Sequence, residues 1–127
     1  MPDIKIPKPT DAELEILNVL WRNGALTVKE VHEEMGGPTG YTSTLKLLQI
    51  MTEKGLVIRN ESQRAHVYQA RHAKTDTQRQ LVTGFLNKAF GGSTAQLVMQ
   101  ALSSKRATRE ELAEIKKLVG QLAREAR

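Results

Sequence analysis

The apolar positions of this chain fall first at helical and then at strand spacing. Leu14, Leu17 and Trp21, flanked by Ile16 and Leu20, make one face at i, i+3 and i+7. Thr10 and Glu13 stand at its start as a capping box, the threonine oxygen accepting from the third amide while the glutamate reaches back, and Gly24 ends the helix. Thr27 and Glu30 repeat the device, with Val28, Val31 and Met35 on one face behind them, until Gly36-Gly37-Pro38 stops the run. A third helix opens near Tyr41 or Thr42, the latter a candidate cap. It carries Leu45, Leu48 and Met51, with Leu47 and Ile50 widening the stripe, and Gly55 terminates it. The period then changes. Leu56-Val57-Ile58 reads as a short strand and Val67-Tyr68 sits in a second, with the polar stretch Asn60 to Arg64 as the exposed tip between them. Ahead of all this, Pro2, Pro7 and Pro9 mark residues 1–9 as a poorly ordered arm.

Three helices and a hairpin with short connections are the plan of a winged helix-turn-helix domain, here residues 1–74. Residues 75–127 continue with helical periods only. A polar helix from about Thr75 carries Leu81, Phe85, Leu86 and Phe90, and Gly91-Gly92 breaks it. Ser93 caps a helix bearing Leu97, Val98 and Leu102, and Thr108-Arg109-Glu110-Glu111 opens a last one with Leu112, Ile115, Leu118, Val119 and Leu122. The fold class is therefore mainly α with a small β-hairpin: an N-terminal winged helix-turn-helix followed by a C-terminal helical region. These three apolar stripes have no sheet of their own to cover them, and so short a segment is marginal alone. A second copy related by a two-fold axis buries the same stripe twice. Leu81, Phe85, Leu86, Phe90, Leu97, Val98, Leu112, Ile115, Leu118, Val119 and Leu122 are accordingly the expected dimerisation residues, with folding back onto the N-terminal domain as the alternative.

Composition narrows the function. The 127 residues are 39% hydrophobic, enough for one small domain with an appendage, and include no cysteine. Disulfide scaffolds, thiolate metal sites and cysteine nucleophiles are excluded. There is no N-terminal apolar segment of signal-peptide type and no apolar run of membrane-spanning length, so no membrane insertion is expected and the cytoplasm is the default location. Nineteen Lys and Arg against fourteen Asp and Glu leave a net charge of +5, which suggests an anionic partner, nucleic acid before a membrane surface. The distribution says more than the total. Residues 1–40 net −3, residues 41–74 net +4 and residues 75–127 net +4, so the positive surplus begins abruptly at Tyr41. Five aromatic residues are too few for a base-stacking platform on single strands, and duplex DNA is the better match.

In a helix-turn-helix the second helix of the motif enters the major groove, its N-terminal residues against the base edges. That helix opens here with Tyr41, Thr42, Ser43 and Thr44 and continues to Lys46. Hydroxyls donate to or accept from bases and phosphates, and Lys46 reaches a guanine edge or a backbone oxygen. On the wing, Arg64 and His66 suit phosphate or minor-groove contact, while Lys54 and Arg59 are phosphate neighbours or solvated charge. Catalytic readings fail. His32, His66 and His72 lack the spacing for a metal site, no nucleophile elbow surrounds Ser43, and no phosphate loop or dinucleotide fingerprint occurs. No catalytic residue, metal or cofactor is expected, and a winged-helix protein-interaction module that reads no DNA remains the alternative.

The run T-D-A-E-L-E-I-L-N-V-L-W from Thr10 to Trp21, Thr27 to Val31, L-L-Q-I-M-T-E-K-G-L-V from Leu47 to Val57, R-A-H-V-Y from Arg64 to Tyr68 and F-L-N-K-A-F-G-G-S from Phe85 to Ser93 resemble the penicillinase repressors of the BlaI, MecI and CopY group. The resemblance implies a dimeric cytoplasmic repressor with an N-terminal winged helix, bound to an inverted-repeat operator, often of a β-lactamase operon. It also implies a regulatory protease as partner, cleaving in the C-terminal region. Three departures bear on this. Gln100-Ala101 stands where cleaved relatives resemble one another in an Asn-Phe pair, the cysteine motif of copper-responsive relatives is missing, and Ile50 replaces an arginine frequent in the group.

Overall fold

A computed structural model describes residues 6–37 and 40–126. The chain divides into two compact units, Met1–Thr83 and Gly84–Arg127. The first contains α1 (Asp11–Asn23), β1 (Leu26–Thr27), α2 (Val28–Met35), α3 (Tyr41–Lys54), β2 (Val57–Asn60) and β3 (Val67–Ala70); α4 (Lys74–Phe90) begins in it and ends in the second, where α5 (Thr94–Ser104) and α6 (Arg109–Glu125) follow. The molecule is mainly helical with one small antiparallel sheet, as the residue pattern predicts.

The three capping boxes form as their spacing requires, at Thr10 with Glu13, Thr27 with Glu30 and Thr108 with Glu111. Each closes because threonine and glutamate lie three residues apart, satisfying two otherwise open amides reciprocally. Gly55 ends α3 in the left-handed conformation at φ 83°, its amide donating to the Thr52 carbonyl and the Leu56 amide to the Met51 carbonyl. That turn redirects the chain from helix into β2 within two residues, and a Cβ is disfavoured there. Thr42 does not cap α3; Gly40 is its N-cap and has no side chain to donate to.

The sheet has the order β1-β3-β2. Val57 faces Ala70 and Asn60 faces Val67 across the hairpin, while Leu26 and Thr27 pair with Tyr68 and Val67. The strand β1 is absent from the sequence reading because two residues between two helices show no alternation. Ile16, Leu17, Leu20, Val28, Val31, Leu48, Met51, Leu56, Val57 and Tyr68 form the core, and the Trp21 indole donates to the His72 carbonyl at 3.0 Å. Ile50 departs from expectation, since it stays 37% exposed instead of widening the apolar stripe of α3.

Of the expected N-terminal arm, residues 1–5 lie outside the described residues, as does Pro38. Residues 6–9 correct the expectation: Ile6 and Pro9 are buried, and the Ile6 backbone exchanges two hydrogen bonds with the Gln80 amide on α4. In the second unit, Ser93 accepts from the Gln96 amide at 3.2 Å to start α5, and the Phe85 and Phe90 rings lie 5.7 Å apart. No described residue of α5 or α6 is buried. No helix among the described residues is long and apolar enough to cross a membrane.

Candidate nucleic-acid interface

Helices α2 and α3 form the helix-turn-helix, and α3 is fixed from below by Leu48 and Met51 in the core. A second tie comes from the far end of α1. Lys54 donates to Glu13 Oε1 at 2.7 Å, and the same oxygen accepts from the Thr10 amide at 2.8 Å. Burial by itself raises the Glu13 pKa, but the Lys54 ammonium and the Thr10 hydrogen bonds outweigh it and hold the carboxyl below its ordinary 4.5. Lys54 is therefore a structural partner of α1 instead of a phosphate neighbour or a freely solvated charge.

The outward arc of α3 carries Thr42, Ser43, Lys46, Gln49, Ile50 and Glu53, all exposed. No acidic residue lies in its first turn, unlike α1, α2 and α6, so the positive end of the helix dipole there is not offset by a carboxylate. Tyr41 is 48% exposed at the entry, and its ring meets the His32 ring edge-on with centroids 6.0 Å apart. Thr44 is turned the other way. It is only 2% exposed, its hydroxyl donates to the Gly40 carbonyl at 3.4 Å and lies 3.5 Å from His32 Nδ1. A polar residue one turn before Leu48 belongs to the inward stripe by helical phase, so Thr44 shapes the entry to α3 and presents nothing to a ligand.

On the wing, Arg64 and His66 are both exposed. Arg59 donates twice to Glu61 Oε2, at 3.2 and 3.1 Å, and hydrogen bonding to Tyr68 followed by Glu61 raises its already high pKa. His66 Nε2 lies 3.8 Å from the other Glu61 oxygen. Glu61 thus engages Arg59 and lies near His66 on the wing, whereas Arg64, like Lys46, meets no carboxylate among the described residues. The structure places Tyr41, Thr42, Ser43 and Lys46 on the outer surface of one helix, and Arg64 and His66 on the hairpin. The apolar pattern assigns Ile50 to the inner stripe and does not single out Gln49, although Ile50 repeats the phase of Ser43 seven residues on and Lys46 four residues back.

The residues expected to dimerise sit apart from this surface in chain order. Leu81 precedes the division between the units, while the others follow it. Phe85, Val98, Leu112, Leu118, Val119 and Leu122 are exposed, and Leu81, Leu86, Phe90, Leu97 and Ile115 are half-buried. Gln100 and Ala101 are exposed within α5.

A family model described as penicillinase repressor matches residues 9–121. The chain is similar to a penicillinase repressor of Bacillus licheniformis, with 26% identity over 113 residues that cover 87% of this chain and 88% of that protein. It is also similar to a transcriptional regulator BlaI of Mycobacterium tuberculosis, 28% identical over 98 residues covering 75% of this chain and 71% of that one. Among solved structures, the DNA-binding domain of the repressor BlaI matches with a TM-score of 0.51 at 27% identity, covering 57% of this chain and 90% of that domain. A mutant MarR from E. coli matches with a TM-score of 0.53 at 16% identity over 91% of this chain and 78% of that one; this is a likeness of fold alone.

Proposed function

The chain belongs to the penicillinase repressor family, and we propose that two copies of it hold a pseudo-palindromic duplex operator, each placing α3 in the major groove and its wing on the adjacent backbone. It is a DNA-binding transcriptional repressor. The observation that supports this geometry is the outward face of α3, where hydroxyls and Lys46 surround a helix start without acidic residues. Tyr41, Thr42, Ser43 and Lys46 are its contacts on the helix, Arg64 and His66 those on the wing.

Residues 1–74 bind DNA and residues 75–127 dimerise in this proposal. The apolar side chains of α5 and α6 support the second part: in α6 Leu118 is 54% and Leu122 53% exposed, and neither helix has a buried residue. Exposed apolar side chains in this number mark an interaction surface, and two-fold pairing covers them with their own copies. The repressor works in the cytoplasm, performs no catalytic step, and controls β-lactam resistance or a related stress operon. A regulatory protease is its partner on the C-terminal unit.

The test is titration of duplexes, enriched from a random pool by the full chain, at several salt concentrations, together with sedimentation of the free protein. The proposal expects a palindromic consensus, one dimer per duplex and an affinity that falls steeply with salt through counterion release. A salt-independent affinity, or a chain that stays monomeric when bound to the palindrome, would overturn it.

A further inference from the structure

We infer that Ile50 is a specificity residue that reads the 5-methyl group of a thymine in the operator. This rests on the repressor reading, with α3 in the major groove. Ile50 follows Lys46 by four residues and Ser43 by seven, so the three share one line along the outward arc of α3. It is 37% exposed and takes no part in the core that Leu48 and Met51 enter from the opposite face. Its neighbours on the arc, Thr42, Lys46, Gln49 and Glu53, are polar or charged.

A single exposed isoleucine is unremarkable on a surface that meets only water. On a helix face that docks against base edges it loses its water and must be given something in return. Every base presents hydrogen-bonding atoms in the major groove, and thymine alone adds a methyl group. Opposite guanine, adenine or cytosine, the branched side chain of Ile50 desolvates oxo or amino groups and supplies no hydrogen bond. Opposite thymine it meets carbon. Four residues of helix advance about 6 Å, or about two base-pair steps at about 3.4 Å each. The thymine therefore lies within about two base pairs of the group that Lys46 addresses.

The experiment uses the full chain and duplexes it enriches from a random pool. Each thymine of the enriched half-site is replaced singly by deoxyuridine, which removes the methyl and nothing else, and both wild type and Ile50→Ala are titrated. Alanine is a favourable residue at an exposed helical position, so the variant keeps its fold. At one or two thymines, loss of the methyl weakens wild-type binding about fourfold, the effect of one buried methyl-sized group. Ile50→Ala binds the thymine duplex at least as much more weakly and is indifferent to deoxyuridine at those positions. Its salt slope equals that of wild type, because no charge is removed. An enriched duplex at which wild type and Ile50→Ala lose equally from every methyl overturns this inference and leaves the repressor reading intact. If no duplex is enriched at all, both fall.

Discussion

Replacing Lys54 by alanine tests whether α3 is held in place by the charge pair beneath it. The ammonium donates to Glu13 Oε1 at 2.7 Å, and the Glu13 side chain is 3% exposed against 34% for Lys54. Its removal leaves a buried carboxylate with the Thr10 amide as its remaining charged-group hydrogen bond. Hydrogen bonds to charged groups contribute about 1.5–3 kcal/mol, and stripping one partner from a fully buried pair costs about 3–5 kcal/mol. Because the lysine end is partly hydrated, the lower range applies, and Lys54→Ala should destabilise the N-terminal unit by about 2 kcal/mol, on the order of 10 °C in Tm for a domain this size. Trp21 is the only tryptophan and lies in α1, so its fluorescence during urea unfolding at fixed protein concentration reports on the relevant unit. The pH dependence has a definite sign. Burial opposes the charged form of Glu13, but Lys54 and Thr10 prevail and depress its folded pKa below 4.5. The stabilisation is present above the unfolded value and is lost as pH falls through the folded one. The gap between wild type and Lys54→Ala should therefore be widest near neutrality and close in acid. A variant within about 0.5 kcal/mol of wild type at neutral pH, or a gap that persists after Glu13 is protonated, refutes the assignment.

Lys46→Ala and Arg64→Ala should each weaken binding across all duplexes and lower the salt slope by about one unit, whereas Lys54→Ala should leave that slope unchanged because its ammonium is paired with Glu13; a fluorescence-anisotropy titration against salt separates the two outcomes. Leu118→Asp combined with Leu122→Asp should yield a monomer in sedimentation with Trp21 emission unaltered, and a persistent dimer would move the interface elsewhere. Gly55→Ala places a Cβ on a backbone at φ 83° and should cost about 1–2 kcal/mol, read as a shift in the urea midpoint; an unshifted midpoint would mean that the turn relaxes without loss.

The parts of this fold that were legible in the sequence are those whose two ends lie close along the chain. Thr10 with Glu13, Thr27 with Glu30 and Thr108 with Glu111 need only a spacing of three. The pairing of β1 with β3 and the bonds from Ile6 to Gln80 join residues 40 to 74 positions apart, and no local pattern announces them. In α3 the difficulty was of another kind. By sequence Thr44 falls among the opening residues of the recognition helix and Ile50 widens the apolar stripe of α3. Thr44, Leu48 and Met51 are at i, i+4 and i+7 and share the buried face, while Ser43, Lys46 and Ile50 are at i, i+3 and i+7 and share the open one. Helical phase decides both cases against residue chemistry. The two exceptions are linked, because an inward threonine is tolerated only with its hydroxyl satisfied by Gly40, and an outward isoleucine gains nothing in the free protein. Local rules fail most often where function imposes its own requirement, and in α3 the unsatisfied rule is the apolar Ile50 on the open face.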